Sequence, residues 1–203
     1  VSVDLMADDC AALIDHLGFG PAHVLGHSMG GFTALSLAAR YPEKVRKLVI
    51  AASGEKSSSR NTLLFSDLAD RYEKSEDLAG FFRTVFYWIF SPAFFEDEGT
   101  VKGAVEFALS YPFFQAPVSF RNQVNAIAAF DGRDLARSVV APALVLGGTE
   151  DLLFPAAAGQ TLAQKLPRGT FAAIEGAAHS IHAEKSREFT EAVFSFLKEG
   201  DNP

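Results

Sequence analysis

Ala22-His23-Val24-Leu25-Gly26-His27-Ser28-Met29-Gly30-Gly31 is the stretch that decides the fold. An apolar run leads into the pattern G-x-S-x-G, and a further glycine stands before the apolar, alanine-rich residues 32–40. A short buried strand, a tight turn and a helix are the context in which this pattern has a mechanism. The turn lifts the serine hydroxyl clear of the sheet, and glycines at 26 and 30 are expected to let neighbouring backbone pass close to it. Gly31 is expected to let the following helix pack tightly. The pentapeptide alone also arises by chance in glycine-containing turns, so the flanking strand and helix carry the reading.

Working outward, Met6, Cys10, Leu13, Ile14 and Leu17 fall at helical spacing and predict a helix over 4–17, stopped by Gly18. Apolar runs predict buried strands at 22–25, 47–52, 143–146 and 170–174, with helices at 32–40, 156–166 and 186–198. Lys44, Arg46 and Lys47 read as a solvated approach to the second strand. From about 61 to 130 the pattern is amphipathic helix with no clear strand, and most of the aromatic residues lie there. Strands alternating with helices imply an α/β fold, a mostly parallel sheet with helices on both faces. The expected organisation is core over 1–52, a helical cap over 53–138, and core again over 139–203.

The chain has 203 residues, 48% apolar and 21% charged, as expected for a globular domain with a sizeable core. A formal charge of −7 argues against a nucleic-acid partner. No window approaches the ~20 apolar residues of a membrane span. Cys10 is the only cysteine, which excludes an intrachain disulfide and a thiolate metal cluster. That usage fits a reducing, cytoplasmic compartment, although a chain beginning at Val1 would not display an upstream signal. Nothing in the sequence calls for a metal or an organic cofactor.

A serine hydroxyl needs a base to take its proton and an acid to orient that base, in the chain order Ser…Asp/Glu…His. Downstream of Ser28 the histidines are His179 and His182. His179 follows the fourth strand in Glu175-Gly176-Ala177-Ala178-His179, where parallel sheets build sites. His182 reads as solvated or supporting, His27 as turned away from the hydroxyl, and His16 and His23 as structural. Asp151, in Gly147-Gly148-Thr149-Glu150-Asp151, is the favoured acid, with Glu150 as its rival. Asp131 and Asp134 read as turn and capping residues.

The hexapeptide at 26–31, Gly-x-x-x-Asp at 147–151 and Gly-x-x-His at 176–179 together resemble the α/β-hydrolase superfamily. The likeness is to cap-bearing esterases and lactonases, similar to the 3-oxoadipate enol-lactonase and aminoacrylate hydrolase groups. It spans essentially the whole chain, and a serine at 28 separates it from haloalkane dehalogenases. The resemblance implies hydrolysis of a small apolar ester or lactone through an acyl-enzyme on Ser28, with Met29 N–H as an oxyanion donor. Tyr87, Trp88, Phe113 and Phe114 are expected to line an apolar pocket over Ser28. The alternatives are a non-catalytic or impaired ligand-binding protein or fragment, a C–C hydrolase and an acyltransferase.

In that family the serine turn follows the fifth strand, and four strands with a helix need roughly 50–70 residues. Only residues 1–21 precede the strand here. The resemblance therefore implies an N-terminally shortened member that lacks the loop supplying the second oxyanion donor. It also implies that strand 22–25 is a sheet edge open to pairing with a second copy or a separate N-terminal segment. Sedimentation at micromolar concentration is expected to show association, and a well-folded monomer would contradict that pairing.

Overall fold

The computed structural model describes residues 1–74 and 76–199. In chain order the regular elements are α1 (Val3–Leu17), β1 (Ala22–His27), α2 (Met29–Arg40), β2 (Val45–Ala51), α3 (Ser59–Lys74), α4 (Leu78–Ile89), α5 (Glu98–Ser110), α6 (Pro117–Ala129), β3 (Ala143–Gly148), α7 (Ala156–Lys165), β4 (Gly169–Ile174), α8 (Ile181–Glu184) and α9 (Ser186–Lys198). The strands pair in parallel in the order β1-β2-β3-β4. Each crossover moves one place along the sheet, through α2, then α3–α6, then α7.

β2 shows why both faces are covered. Leu48 and Ile50 pack with Ala11, Leu35, Leu37 and Leu162, contributed by α1, α2 and α7. Val49 and Ala51 face the other way, against Ile181 of α8 and Val193 of α9. Successive strand side chains alternate faces, so a strand buried on both sides reads as an unbroken apolar run. α1 is tied to α2 by Ser36 Oγ, which donates to Asp4 Oδ1 at 2.6 Å.

The four strands fall where the apolar runs put them, and α9 has the expected bounds. β2 starts earlier than expected, because Val45 is in register with Ala22. α8, which carries His182, is a single short turn of helix, with too few residues to show a period. β1 lies at the end of the strand order, and Leu25 there is 46% exposed.

Lys47 corrects the sequence reading. Its side chain is not solvated: it is 7% exposed, and Nζ donates to Phe196 O at 3.0 Å and Leu197 O at 2.8 Å. These carbonyls end α9 and have no intrahelical donors, so a buried ammonium satisfies them and complements the negative end of the helix dipole. The partners lie some 150 residues away in sequence, beyond any local pattern.

The helices between β2 and β3 have an aromatic core of their own. Tyr72 stacks on Phe81 at 4.6 Å, with Phe120 edge-on to Tyr72 at 5.8 Å. A second cluster joins this segment to the sheet, with Trp88, Leu64 and Phe65 packed against Phe32, Phe130, Leu153 and Phe154.

Lys47→Met keeps the apolar stem and removes the donor. It is expected to cost about 1–3 kcal/mol in urea unfolding and to raise amide exchange at the end of α9. Unchanged stability and exchange would contradict the capping role.

Candidate active site

β1 delivers Ser28 to the turn and α2 begins at the next residue. Ser28 sits at φ 53, ψ −120, a conformation costly for an L-residue, on the order of 1–3 kcal/mol. Its backbone is held from three directions. Ser28 N–H donates to Ala51 O at 2.9 Å, while Ser28 O accepts from Gly31 N–H at 2.8 Å and Ser53 Oγ at 2.8 Å. Ser28 occupies the N-cap of α2 without a side-chain capping bond, so Oγ remains available. Met29 is the first helical residue, and its N–H is among the donors a helix start leaves without an intrahelical acceptor.

Two glycines are required here, and one differs from expectation. A Cβ on Gly26 would stand 2.1 Å from Gly30 O, and one on Gly31 would stand 2.5 Å from Ser53 Oγ. A Cβ on Gly30 would meet nothing within 4 Å. The close approach at Gly30 is made by its carbonyl, which only a bare Gly26 admits.

His179 lies on the loop after β4 and is 4% exposed; Nε2 is 2.9 Å from Ser28 Oγ. Nδ1 is 3.0 Å from Asp151 Oδ2. Asp151, also 4% exposed, is held by its other oxygen, since Oδ1 accepts from Leu153 N–H at 2.8 Å and Phe154 N–H at 2.9 Å. Glu150 is exposed, and its backbone N–H is used on Ala177 O at 2.9 Å. The structure thus brings Asp151, and not Glu150, to His179. Phe154 covers the imidazole, nearly parallel to it at 5.9 Å.

The remaining histidines separate by environment. His27 points away from Ser28 Oγ in a specific manner: Nε2 lies 2.8 Å from His179 O. A carbonyl only accepts, so Nε2 carries the proton in this assignment. Burial is the main cause that pushes the His27 pKa down to about 4, with His179 and His182 adding to it. His27 is therefore neutral at pH 7. His182 is exposed and edge-on to His27 at 4.7 Å, and it is not brought to Ser28. His16 and His23 are exposed on α1 and β1. Asp131 pairs with Arg133 at 2.6 Å and Lys56 at 2.9 Å, and these cations hold its carboxyl well below the usual range.

Sequence reasoning missed Ser53 and the tie made by His27. Ser53 stands just past β2, after Ala52, and is 2% exposed, but a lone serine opening a polar loop gives no signal. The His27 tie depends on a residue 152 positions away.

The four aromatics expected over Ser28 divide. Trp88 packs against the cluster containing Phe154, which covers His179. Tyr87 borders a pocket of about 450 Å³ with Phe90, Pro92, Glu150 and Leu152, beside Asp151 in sequence. Phe113 and Phe114 do not meet the expectation. They border a cavity of about 540 Å³ lined only by residues from 72 to 120, none of them Ser28, Asp151 or His179. Phe114 meets Phe82 at 5.6 Å and Tyr72 at 6.0 Å at the border of the helical segment's aromatic cluster, and Phe113 is 80% exposed. Among the described residues no group of three His, Cys, Asp or Glu is arranged to hold a metal ion, and no helix is long and apolar enough to cross a membrane.

A serine on a strained strand-to-helix turn, above a parallel sheet whose later loops bring in an Asp and a His, defines a protein of hydrolase architecture. The model of the alpha/beta hydrolase fold family matches residues 2–186, and the chain belongs to that family. It is 26% identical over 98% of its length to a protein of Azorhizobium caulinodans named "Putative carbamate hydrolase RutD", of which it covers 75%. Among solved structures, it is similar to one titled "Putative non-heme bromoperoxidase BpoC from Mycobacterium tuberculosis H37Rv", with TM-score 0.87 and 26% identity over 97% of this chain and 74% of that one. It is similar also to the enol-lactonase from Burkholderia xenovorans LB400, with TM-score 0.83 and 26% identity over 98% of this chain and 74% of that one.

Two outcomes follow from the backbone and from His27. Ser28→Gly is expected to be more stable than Ser28→Ala by about 1 kcal/mol in urea unfolding, because glycine accepts the turn without strain. Equal stability would contradict the strain. His27 has a folded pKa below its ordinary value, so below about 6.5 the unfolded chain takes up a proton that the folded chain refuses. Stability should therefore fall as pH drops from about 6.5 to about 4, and His27→Gln should flatten that part of the curve. Parallel curves for the two proteins would contradict a buried neutral His27.

Proposed function

We propose that the chain is a serine hydrolase that cleaves a carboxylic ester or lactone through an acyl-enzyme on Ser28. The observation that carries this reading is the continuous line from Ser28 Oγ to His179 Nε2 at 2.9 Å and from His179 Nδ1 to Asp151 Oδ2 at 3.0 Å.

Asp151 only accepts, so His179 donates Nδ1–H to it and leaves the Nε2 lone pair toward Ser28. As Oγ attacks the substrate carbonyl carbon, its proton passes to Nε2. The carbonyl oxygen becomes an oxyanion, to which Met29 N–H donates with the positive end of the α2 dipole behind it. The imidazolium, stabilised by Asp151, then gives its proton to the leaving alkoxide. Water takes the vacated place and loses a proton to Nε2. Its oxygen attacks the acyl carbon, and the acid leaves as Ser28 is reprotonated.

Helices α3–α6 act as a cap over this centre. Trp88, Phe154, Tyr87 and Phe90 give the approach an apolar character, which suits small or medium neutral acyl groups. The enol-lactonase and carbamate hydrolase names of the relatives support attack on an acyl carbon bearing a heteroatom leaving group. A carbamate presents the same reacting carbon and belongs in the same substrate panel.

Butyrate esters with different leaving groups, hydrolysed in the presence of methanol, test the acyl-enzyme. A shared intermediate requires one ratio of butyrate to methyl butyrate for every leaving group, with Ser28→Ala losing at least 10³-fold in kcat. A ratio that follows the leaving group would overturn the covalent step. Faster turnover of a strongly charged ester than of the neutral butyrate would overturn the apolar preference.

A further inference from the structure

Glu184 closes α8, downstream of His179, and uses both carboxylate oxygens on backbone N–H groups. Oε2 accepts from Ala178 N–H at 2.9 Å, the residue before His179. Oε1 accepts from Ser91 N–H at 2.8 Å, just past the end of α4. On the other side of the histidine, Ser180 N–H donates to Ile89 O at 2.8 Å. Both neighbours of His179 are thus tied to the end of α4, one directly and one through Glu184. The same short stretch carries Trp88, packed near the Phe154 that covers the imidazole.

Ser91, Ala178 and Ser180 are buried, so their N–H groups need protein acceptors. Glu184 serves two of them only as a carboxylate. A glutamine would turn an NH2 group toward one of the N–H groups and leave that donor unmatched.

We propose that Glu184 is a positioning residue that locks the His179 loop to the cap, so that the imidazole meets Ser28 only when α4 is seated. The proposal rests on His179 being the base of the proposed reaction. It makes cap docking a condition of chemistry as well as of substrate binding. Small displacements of a base are enough for this, since a misplacement of about 1 Å can cost on the order of 10²-fold in rate.

Two variants of the full chain break the link from opposite ends. Glu184→Gln removes one acceptor. Ser91→Pro removes the matching donor, and its ring Cδ takes the place of the N–H that points at Glu184 Oε1, so the carboxylate is turned away; the dihedrals accept the ring, with Ser91 at φ −71, ψ 162 and Phe90 at φ −113, ψ 152. Ser91→Ala controls for the hydroxyl. Each link-breaking variant is expected to lower kcat for p-nitrophenyl butyrate on the order of tenfold with KM within about twofold. The double variant should be no worse than either alone, because one link is lost in every case. The His179 Nδ1–H proton resonance should shift or broaden in both variants and stay unchanged in Ser91→Ala.

Wild-type kcat and resonance in the folded variants, or additive losses in the double variant, would overturn the proposal. The resonance also separates it from the reading it rests on. If the wild type hydrolyses nothing and Glu184→Gln still moves the His179 signal, the hydrolase reading falls and the link stands. If the wild type is active and Glu184→Gln changes neither rate nor resonance, the link alone falls.

Discussion

The backbone of Ser28 ties β1, β2 and α2 together at the point where the strand turns into the helix. A non-glycine residue at φ 53, ψ −120 is retained only when its surroundings over-determine it. Here that is done by Ala51 O, Gly31 N–H and Ser53 Oγ, all within 2.9 Å of a Ser28 backbone atom. Ala51 ends β2 and Ser53 stands just past it, so the β1–β2 register is part of the turn. Gly26↔Ile50 and His27↔Ala51 are the last pairs before it. Slipping that register would take Ala51 O from Ser28 N–H and Ser53 Oγ from Ser28 O.

The parallel sheet does the remaining placement. β1, β3 and β4 run in one direction, so the segments after them emerge on the same edge, and these hold Ser28, Asp151 and His179. Each side chain is fixed by groups that the proposed reaction leaves in place: two backbone N–H groups hold Asp151, and His27 holds the His179 carbonyl. A neutral His27 suits that task, since its pKa of about 4 keeps a second positive charge away from an imidazole proposed to become imidazolium. Placement of Ser28, Asp151 and His179 is thus a property of the sheet and its buried loops. The end of α4 meets the His179 loop through Ile89 O and, by way of Glu184, through Ser91 N–H.

Much of this could be read from residues close together in sequence. The strands at 22–25, 47–52, 143–146 and 170–174 are apolar runs bounded by turn residues, and buried parallel strands have that appearance. Ser28, Asp151 and His179 stand out because each follows a strand in a glycine-marked turn. What was not legible came from contacts distant in sequence. Lys47 looks like an exposed cation until the end of α9 folds over it. Ser53, His27 and Glu184 carry no local pattern for the work their positions give them. Phe113 and Phe114 are typical pocket residues by type, yet they stand exposed between α5 and α6 and border a different cavity. Residue type shows what a side chain can do, while its neighbours in space decide which site it joins.

Whether Ser28, His179 and Asp151 form a working nucleophile decides the proposed reaction. The most direct measurement is the reaction of the folded protein with a fluorophosphonate, with the modified residue located by peptide mass spectrometry beside Ser28→Ala. Stoichiometric labelling is expected at Ser28 in the wild type and none in the variant. A folded wild type left unlabelled, or labelled at another residue, would contradict it.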